Sequence, residues 1–284
     1  TLHCPENFNF AYDVVDALAA KCPHKRAMLW VGNDLTEREF TFEDISRMSS
    51  KAANYFTMLG IKRGERVMVV LKRHWQFWVV MMALHKIGAV AVPATNQLVK
   101  HDFDYRFRVG EIGAIICTAD GSTALEAEAA AAESEFVKTK ILVGGSREGW
   151  EDFNSDFVRF SSVFPRAETN ADDPSVMFFT SGTTGYPKLA MHSFTYPIGH
   201  IVTGRFWHCV DPEGLHFTVA DTGWGKALWG KLYGQWFCEA AVFVYDFDRF
   251  DAEKLLPMFA RHNITSFCAP PTIYRFLIRE DMSK

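Results

Sequence analysis

A short run of glycine, hydroxyl and lysine residues carries the most definite chemistry in this sequence. It follows the apolar residues 176–179, which are expected to form a buried strand. Glycines let several backbone N–H groups converge on one point, hydroxyls add donors that can rotate, and a lysine supplies a mobile positive charge. An anionic phosphate requires these groups, so the run predicts a phosphate-binding loop. The run consists of Thr180, Ser181, Gly182, Thr183, Thr184, Gly185, Tyr186, Pro187 and Lys188.

The same composition is common in ordinary connecting loops, which is the plainer explanation of this run. Its position favours binding, because ligands of open α/β sheets bind just beyond the carboxyl ends of strands. The run is not a P-loop, because Gly182 to Lys188 lacks the Gly-Lys-Ser/Thr ending. The sequence also contains no Gly-x-Gly-x-x-Gly segment, so it carries no dinucleotide-binding fingerprint.

Three further candidates lie elsewhere in the chain, and each has a plainer explanation. His192 follows Lys188 by four residues, and such a histidine more often has a structural role. Trp224 lies between two glycines, of which Gly223 is the first, so a loop could present its ring to a ligand. The plainer explanation is that it belongs to the core, as aromatic residues after a strand usually do. Gln97 would ordinarily be a solvated loop residue.

The elements that would hold these residues alternate between strands and helices. We expect strands at 66–71, 89–93, 114–118, 141–144, 176–179, 215–220, 241–245 and 265–268. Helices are expected at 74–86, 102–109, 123–135, 251–262 and 272–280, with others after Ser193 and through Trp236. Thr41 and Asp44 have the spacing of a helix cap, which predicts a helix through Leu59. This alternation predicts an α/β fold with parallel strands and helices on both faces.

A change of composition divides the chain. Residues 146–174 are rich in serine, asparagine, aspartate and proline, which predicts a boundary near residue 170. We therefore expect one α/β subdomain over residues 1–170 and part of a second over residues 171–284, the second carrying the phosphate-binding run.

Composition limits the class of protein. The 284 residues are 48% hydrophobic, enough for a large core, and the formal net charge is −4 without a long basic run. Nucleic acid is therefore not an expected partner. The longest fully apolar stretch, residues 77–84, is far shorter than a membrane-spanning helix, so no transmembrane segment is expected.

The cysteines and histidines point to a reducing compartment without a structural metal. The six cysteines are scattered and form no Cys-x-x-Cys pair, which predicts a cytoplasmic location. The ten histidines are also spread out, with no His-Glu-x-x-His pattern, so no metal site is expected. No secretory signal is visible, and the first residue, Thr1, suggests that the start was trimmed.

The run at 180–188 resembles the phosphate-binding signature of the adenylate-forming superfamily, which includes acyl-CoA synthetases, luciferases and the adenylation domains of peptide synthetases. Other segments resemble, in the same order, the medium-chain acyl-CoA synthetases and their acetyl-CoA synthetase relatives. The resemblance runs from about residue 8 to the end of the chain. These segments are Phe8–Ala11, Arg63–Val67, Pro93–Gln97, Ala220–Trp224 and Ala269–Arg275.

The resemblance implies a fold and an activity. Members of the superfamily have two stacked, mostly parallel α/β subdomains, then a barrel and a mobile C-terminal domain. This chain is expected to cover the first subdomain and part of the second, with the barrel and C-terminal domain absent. The implied enzyme is an acid–thiol ligase that activates a fatty or short-chain carboxylic acid as acyl-AMP and transfers it to coenzyme A. The 284 residues alone are expected to be inactive.

The resemblance also implies roles for the candidate residues. The run 180–188 would bind the phosphates of ATP, which comes with Mg²⁺, and His192 would lie near the reacting phosphate. Gly223 and Trp224 would line the acyl pocket, and Gln97 would lie near the coenzyme A route. The superfamily's adenine-reading Tyr-Gly-x-Thr-Glu and Thr-Gly-Asp motifs are absent here, so catalytic residues are expected downstream of Lys284.

Two other functions stay open. The chain could be a short non-catalytic nucleotide-binding module, or part of an enzyme that adenylates aryl or amino acids. The expected partners of the enzyme are ATP, a carboxylic acid and coenzyme A. An incomplete second sheet is expected to expose an edge and an apolar patch, which favours self-association into a homo-oligomer.

Overall fold

The computed structural model describes residues 4–180 and 185–280. Four of the expected phosphate ligands, Ser181, Gly182, Thr183 and Thr184, lie outside the described residues. The other candidate residues named above are all placed.

The strands of the described part follow one another along the chain. They are β1 (Arg26–Val31), β2 (Glu37–Thr41), β3 (Arg66–Val70), β4 (Val90–Pro93), β5 (Ala114–Thr118), β6 (Thr139–Val143), β7 (Glu151–Asp152), β8 (Pro174–Thr180), β9 (Lys188–Ser193), β10 (Leu215–Thr218), β11 (Ala241–Tyr245) and β12 (Ser266–Cys268).

The helices lie between these strands. They are α1 (Ala17–Lys21), α2 (Phe42–Met58), α3 (Gln76–Ile87), α4 (Lys100–Gly110), α5 (Thr123–Ala131), α6 (Phe153–Asp156), α7 (Tyr196–Val202), α8 (Gly225–Lys231), α9 (Tyr233–Phe237), α10 (Ala252–Arg261) and α11 (Pro271–Leu277). Short π-helical segments at Ala11–Asp16 and Thr203–Trp207 and a 3₁₀ turn at Phe157–Arg159 complete the set. None of the helices in the described ranges is long and apolar enough to cross a membrane.

The strands form two mostly parallel sheets. The larger has the order β7-β6-β5-β3-β4-β8-β9, and only the pair β8 and β9 is antiparallel. The smaller has the order β12-β10-β11-β1-β2, and only β1 and β2 are antiparallel. The predicted α/β class with mostly parallel strands is therefore confirmed.

Each sheet contains strands from both the first and the second half of the sequence. In the smaller sheet β1 pairs with β11, with Met28 opposite Val242. In the larger sheet β8 pairs with β4, with Val176 opposite Ala91. The sheets therefore do not divide at the boundary predicted near residue 170, and both strands that flank the phosphate-binding run belong to the larger sheet. The division into two subdomains stays a prediction.

Helix α3 explains how the two sheets share a core. All its residues are buried, including the polar Gln76, His85 and Lys86, and most of them are apolar, as expected for a helix in the interior. The largest hydrophobic cluster contains residues of α3 together with Val67 of β3, Met28 of β1 and Val242 of β11. Side chains from both sheets therefore pack in the same interior as α3.

The capping arrangement predicted at the start of α2 is confirmed. Thr41 Oγ1 accepts a hydrogen bond from the Asp44 N–H at 3.1 Å, and Asp44 Oδ2 accepts one from the Thr41 N–H at 3.1 Å. The helix ends before Gly60, which has a φ of +90°.

Several elements differ from the sequence-based expectation. The helix predicted through Trp236 is two helices, because Leu232 leaves the helical region with φ −147° and ψ −81°. Strands β1, β2, β7 and β9 were not predicted. Three charged or polar positions open β2, and β9 has two exposed residues, Lys188 and Met191. Both strands lie at sheet edges, where polar residues are tolerated.

Candidate functional site

The predicted phosphate-binding run connects the two antiparallel strands β8 and β9. Thr180, the last residue of β8, lies opposite Lys188, the first residue of β9. The Thr180 hydroxyl donates a hydrogen bond to the Lys188 carbonyl oxygen at 3.3 Å. Because β8 runs parallel to β4, the run begins at the edge of the sheet where the parallel strands end. This is the edge at which α/β proteins bind ligands.

The C-terminal part of the run is anchored to helix α4. Gly185 has a φ of +88°, a conformation that suits glycine, and Tyr186 is 73% exposed. The ring of Tyr186 stacks on that of Tyr105 with centroids 4.8 Å apart and planes inclined by 18°. The Tyr105 hydroxyl donates a hydrogen bond to the Pro187 carbonyl oxygen at 2.8 Å. The backbone that leads into the exposed Lys188 is therefore held from outside the run.

His192 lies on β9, and its surroundings fit a packing role as well as a binding role. Its ring centroid lies 4.3 Å from that of Tyr196 and 5.8 Å from that of Phe178. Burial lowers the pKa of the His192 imidazole below its ordinary value, so the ring is neutral at pH 7. Residues two apart on a strand share a face, so His192 and Lys188 project to the same side of β9.

Trp224 is not a core residue, because 64% of its surface is exposed. It precedes α8 in extended conformation, with φ −103° and ψ 142°. Gly223 before it lies against the loop that follows β4. A Cβ at Gly223 would lie 2.3 Å from Thr95 N and 2.4 Å from the Ala94 carbonyl carbon. Only glycine permits this close approach.

Gln97 is exposed in the same loop after β4, and its N–H donates a hydrogen bond to Thr95 Oγ1 at 3.4 Å. A Cβ at Gly225 would lie 3.6 Å from the ring of Phe178 on β8. The structure therefore brings together three segments that the sequence separates widely. They are the end of β8, the loop 94–97 and the turn 221–225.

A cluster of charged side chains at the same edge was missed in the sequence. Lys72 Nζ lies 2.7 Å from Asp120 Oδ2 and 2.7 Å from Asp248 Oδ1. His74 Nδ1 lies 2.6 Å from Asp246 Oδ2. Burial lowers the pKa of the Lys72 ammonium, but its hydrogen bonds to both carboxylates outweigh burial and leave the pKa raised, so Lys72 stays charged.

The positions of these charged residues could have indicated the cluster. Lys72, Asp120 and Asp248 each follow a strand of a parallel sheet within three residues, namely β3, β5 and β11. Side chains in such positions meet at one edge. They surround an open cleft of about 520 Å³ that Asn96 also lines, so the cleft adjoins the loop that carries Gln97.

The described residues include groups that can bind an anion but no cluster that could hold a metal ion. No group of three or more histidine, cysteine, aspartate or glutamate side chains in the described ranges could hold a metal ion. Hydroxyl, backbone and lysine groups around Thr180 and Lys188 can bind an anion, and Trp224 offers an exposed apolar surface nearby.

Comparisons with known proteins agree with this chemistry. The profile of the family described as AMP-binding enzyme matches residues 15–284. Human acyl-coenzyme A synthetase ACSM4, mitochondrial, is 35% identical over 288 aligned residues, which cover 99% of this chain and 49% of the relative. The chain thus spans about half the length of the curated relative it matches.

Two solved structures share the fold. A Brucella canis acyl-CoA synthetase superposes with a TM-score of 0.87 at 22% identity, over 98% of this chain and 50% of that protein. The anthranilate CoA ligase AuaEII in complex with anthranoyl-AMP gives 0.86 at 22% identity, over 99% and 54%. The expected fold, α/β with mostly parallel strands, is therefore confirmed for this stretch.

Proposed function

Because the chain belongs to the family of AMP-binding enzymes, we propose that the protein activates a carboxylic acid with ATP and transfers the acyl group to coenzyme A. An oxygen of the carboxylate attacks the α-phosphorus of ATP, the bond to pyrophosphate breaks, and an acyl-adenylate forms. The thiol of coenzyme A then attacks the acyl carbon, AMP leaves, and a thioester remains.

One observation carries the proposal: the run 180–188 begins at the carboxyl edge of the larger sheet, with Lys188 exposed at its end. Negative charge grows on the leaving pyrophosphate, and N–H donors and cations aimed there lower the barrier. We assign the β- and γ-phosphates to Thr180, Gly185, Tyr186, Pro187 and Lys188, with Lys188 as the cation. Ser181, Gly182, Thr183 and Thr184, outside the described residues, belong to the same assignment.

We place the acid beside Gly223 and Trp224. The exposed indole of Trp224 offers an apolar wall, and Gly223 keeps that turn against the loop 94–95. Gln97, exposed on the same loop, is our candidate for the coenzyme A route, and the neutral His192 our candidate neighbour of the reacting phosphate. The relative ACSM4 is named an acyl-coenzyme A synthetase, which supports an acyl-CoA product, and we propose a fatty or short-chain acid as the substrate.

We propose that Mg²⁺ arrives bound to the phosphates of ATP, as is usual for this ion at nucleotide sites. Beyond the contacts to the phosphates, no residue of this chain is assigned a catalytic role. The relatives are about twice as long as the chain, and we place the catalytic groups in the length that it does not span. The 284 residues alone are accordingly proposed to be inactive.

ATP–pyrophosphate exchange by the full-length protein tests the proposal. We expect exchange that depends on a fatty or short-chain acid, followed by thioester formation when coenzyme A is added. Exchange only with aryl or amino acids would move the protein to that alternative class. No exchange with any acid, together with tight ATP binding by the 284 residues in calorimetry, would identify a non-catalytic nucleotide-binding module.

The compartment is tested separately. We propose the cytosol on cysteine usage alone, whereas the human relative is mitochondrial by name. Imaging of the tagged full-length protein distinguishes the two compartments.

A further inference from the structure

Helix α4 contacts both ends of the phosphate-binding run. At the C-terminal end, Tyr105 stacks on Tyr186 and donates its hydroxyl hydrogen to Pro187. At the N-terminal end, the Tyr105 ring lies edge-on to Phe179 of β8, with centroids 6.2 Å apart. The Arg106 guanidinium lies 5.3 Å from the centroid of the same Phe179 ring. Tyr105 and Arg106 therefore both contact the residue that precedes the run, and Tyr105 also contacts the C-terminal part of the run.

Helix α4 is itself firmly placed. Its residues Phe103 and Phe107 are buried in the second hydrophobic cluster of the larger sheet. Lys100 Nζ lies 3.0 Å from Asp104 Oδ2 and 2.9 Å from Glu133 Oε2, which follows α5. The contacts of Tyr105 therefore attach the run to a well-packed part of the fold.

The hydrogen bond to Pro187 acts on the peptide that leads into Lys188. Proline has a fixed φ and no N–H, so the direction of its carbonyl is the main remaining freedom of that peptide. A donor held on α4 fixes this direction, and with it the direction in which the Lys188 side chain leaves the backbone. The stacked ring of Tyr186 adds a second point of attachment.

We propose that Tyr105 is a positioning residue for the phosphates of ATP, acting through Pro187 and Lys188 without touching the nucleotide. The proposal rests on the proposed function of the run. Tyr105 is half-buried and contributes one hydroxyl and one ring, so the two contributions can be removed one at a time.

Two variants of the full-length protein separate these contributions. Tyr105→Phe keeps the ring and removes the hydrogen bond, and we expect the KM for ATP to rise roughly five-fold. Tyr105→Ala also removes the stacking contact, and we expect a rise of roughly thirty-fold. The KM for the acid should stay unchanged in Tyr105→Phe, because the acid is placed at the turn 223–224.

Tyr12→Phe is the matched control. The Tyr12 hydroxyl lies 2.9 Å from the carbonyl oxygen of Lys86 and 3.2 Å from that of Pro165, away from the run in sequence and contacts. Its loss should lower the unfolding temperature without changing the KM for ATP. If Tyr12→Phe and Tyr105→Phe change stability and KM alike, Tyr105 has only a structural role and the proposal is wrong.

A second measurement does not depend on activity. Amide hydrogen exchange of a peptide covering residues 185–193 should be faster in Tyr105→Phe and Tyr105→Ala than in the unsubstituted protein, and unchanged in Tyr12→Phe. Unchanged exchange in both Tyr105 variants would overturn the anchoring. An unsubstituted protein without pyrophosphate exchange would refute the proposed function, while hydrogen exchange would still decide whether Tyr105 anchors the run.

Discussion

Gly223 lies directly against the backbone of Thr95, so close that a Cβ on Gly223 would sit 2.3 Å from Thr95 N. Gly223 follows β10 of the smaller sheet, and Thr95 follows β4 of the larger sheet. The contact therefore joins the two sheets at the edge where the acyl pocket and the coenzyme A route are proposed. The next residue, Trp224, takes its position from this contact.

Replacement of Gly223 by alanine tests that contact. Gly223→Ala must push the two loops apart, and we expect a loss of about 1–3 kcal/mol in the free energy of unfolding together with a higher KM for the acid. Denaturant unfolding and exchange kinetics measure the two effects. Gly199→Ala is the control, because Gly199 lies in α7 with no atom within 4 Å of an added Cβ. Equal stability of the two variants would contradict the close approach.

Lys188 should matter for activity far more than for stability. Its side chain is exposed, so Lys188→Ala should leave the unfolding temperature unchanged. If Lys188 stabilises the leaving pyrophosphate, exchange should fall roughly a hundred-fold. Lys62→Ala, at another exposed lysine, serves as the control and should exchange normally. Normal exchange in Lys188→Ala would remove that lysine from the phosphate site.

His216 should make stability fall in acid. The Thr218 hydroxyl donates to the Gly230 carbonyl oxygen at 2.6 Å, so it accepts from His216 Nε2–H at 2.8 Å. His216 Nδ1, 2.7 Å from Ser266 Oγ, is then the acceptor in the neutral ring. Burial, reinforced by the neighbouring His208, lowers the pKa of His216 from 6.5 to about 3.

The sign follows from proton uptake. Between about pH 6.5 and pH 3 the unfolded chain binds a proton at His216 that the folded chain does not, so stability decreases as the pH falls. One such group contributes at most about 1.4 kcal/mol per pH unit. His216→Asn should reduce this slope, measured by denaturant unfolding at several pH values, whereas the exposed His24→Gln should not. An unchanged slope in His216→Asn would show that the ring is not held neutral.

The ion pairs of Lys72 with Asp120 and Asp248 should stabilise the packing of the two sheets against each other. Asp120 follows a strand of the larger sheet and Asp248 one of the smaller, and Lys72 bonds to both. Lys72→Met leaves the carboxylates facing each other, and we expect a loss of about 2 kcal/mol, given that both are partly exposed. Adding Asp248→Asn to Lys72→Met should restore part of the lost free energy of unfolding. A double variant no more stable than Lys72→Met would argue against the pairing.

The apolar face around α11 should promote association of the 284-residue chain. Tyr274, Phe276 and Ile278 are exposed there, and Ile278 is 76% exposed. Strand β12 is an edge of the smaller sheet as described. We expect concentration-dependent dimers in light scattering that Ile278→Lys weakens. Val163→Lys, at an equally exposed valine outside α11, is the control. A monomer at high concentration would contradict this expectation.

The sequence was sufficient where a signal is local. The cap at Thr41 and Asp44 and the mostly apolar helix α3 are decided by residues a few positions apart, and both were predicted nearly as observed. The strand before the run 180–188 was predicted correctly for the same reason, and phosphate binding by the run stays a prediction. The hydroxyl and glycine composition of the run and the preceding apolar residues lie within one short segment.

The sequence was insufficient to predict features that depend on a contact with a residue far away in the chain. The polar strand β2 becomes a strand because β1 pairs with it, and its residues Glu37, Arg38 and Glu39 alone do not indicate one. Tyr105 contacts the run because its hydroxyl reaches the carbonyl oxygen of Pro187, 82 positions later. Nothing in the sequence of α4 indicates that contact.

The pairing of β1 with β11 has a consequence for biosynthesis. Met28 meets Val242, about 210 positions later. The ribosome adds roughly 5–20 residues per second, so the apolar strand β1 is synthesised about ten to forty seconds before β11, with which it pairs in the folded protein. The local hairpin with β2 can cover one edge meanwhile, while the other edge stays open to aggregation. The nascent chain should therefore need chaperone protection of β1 until residue 245 has emerged.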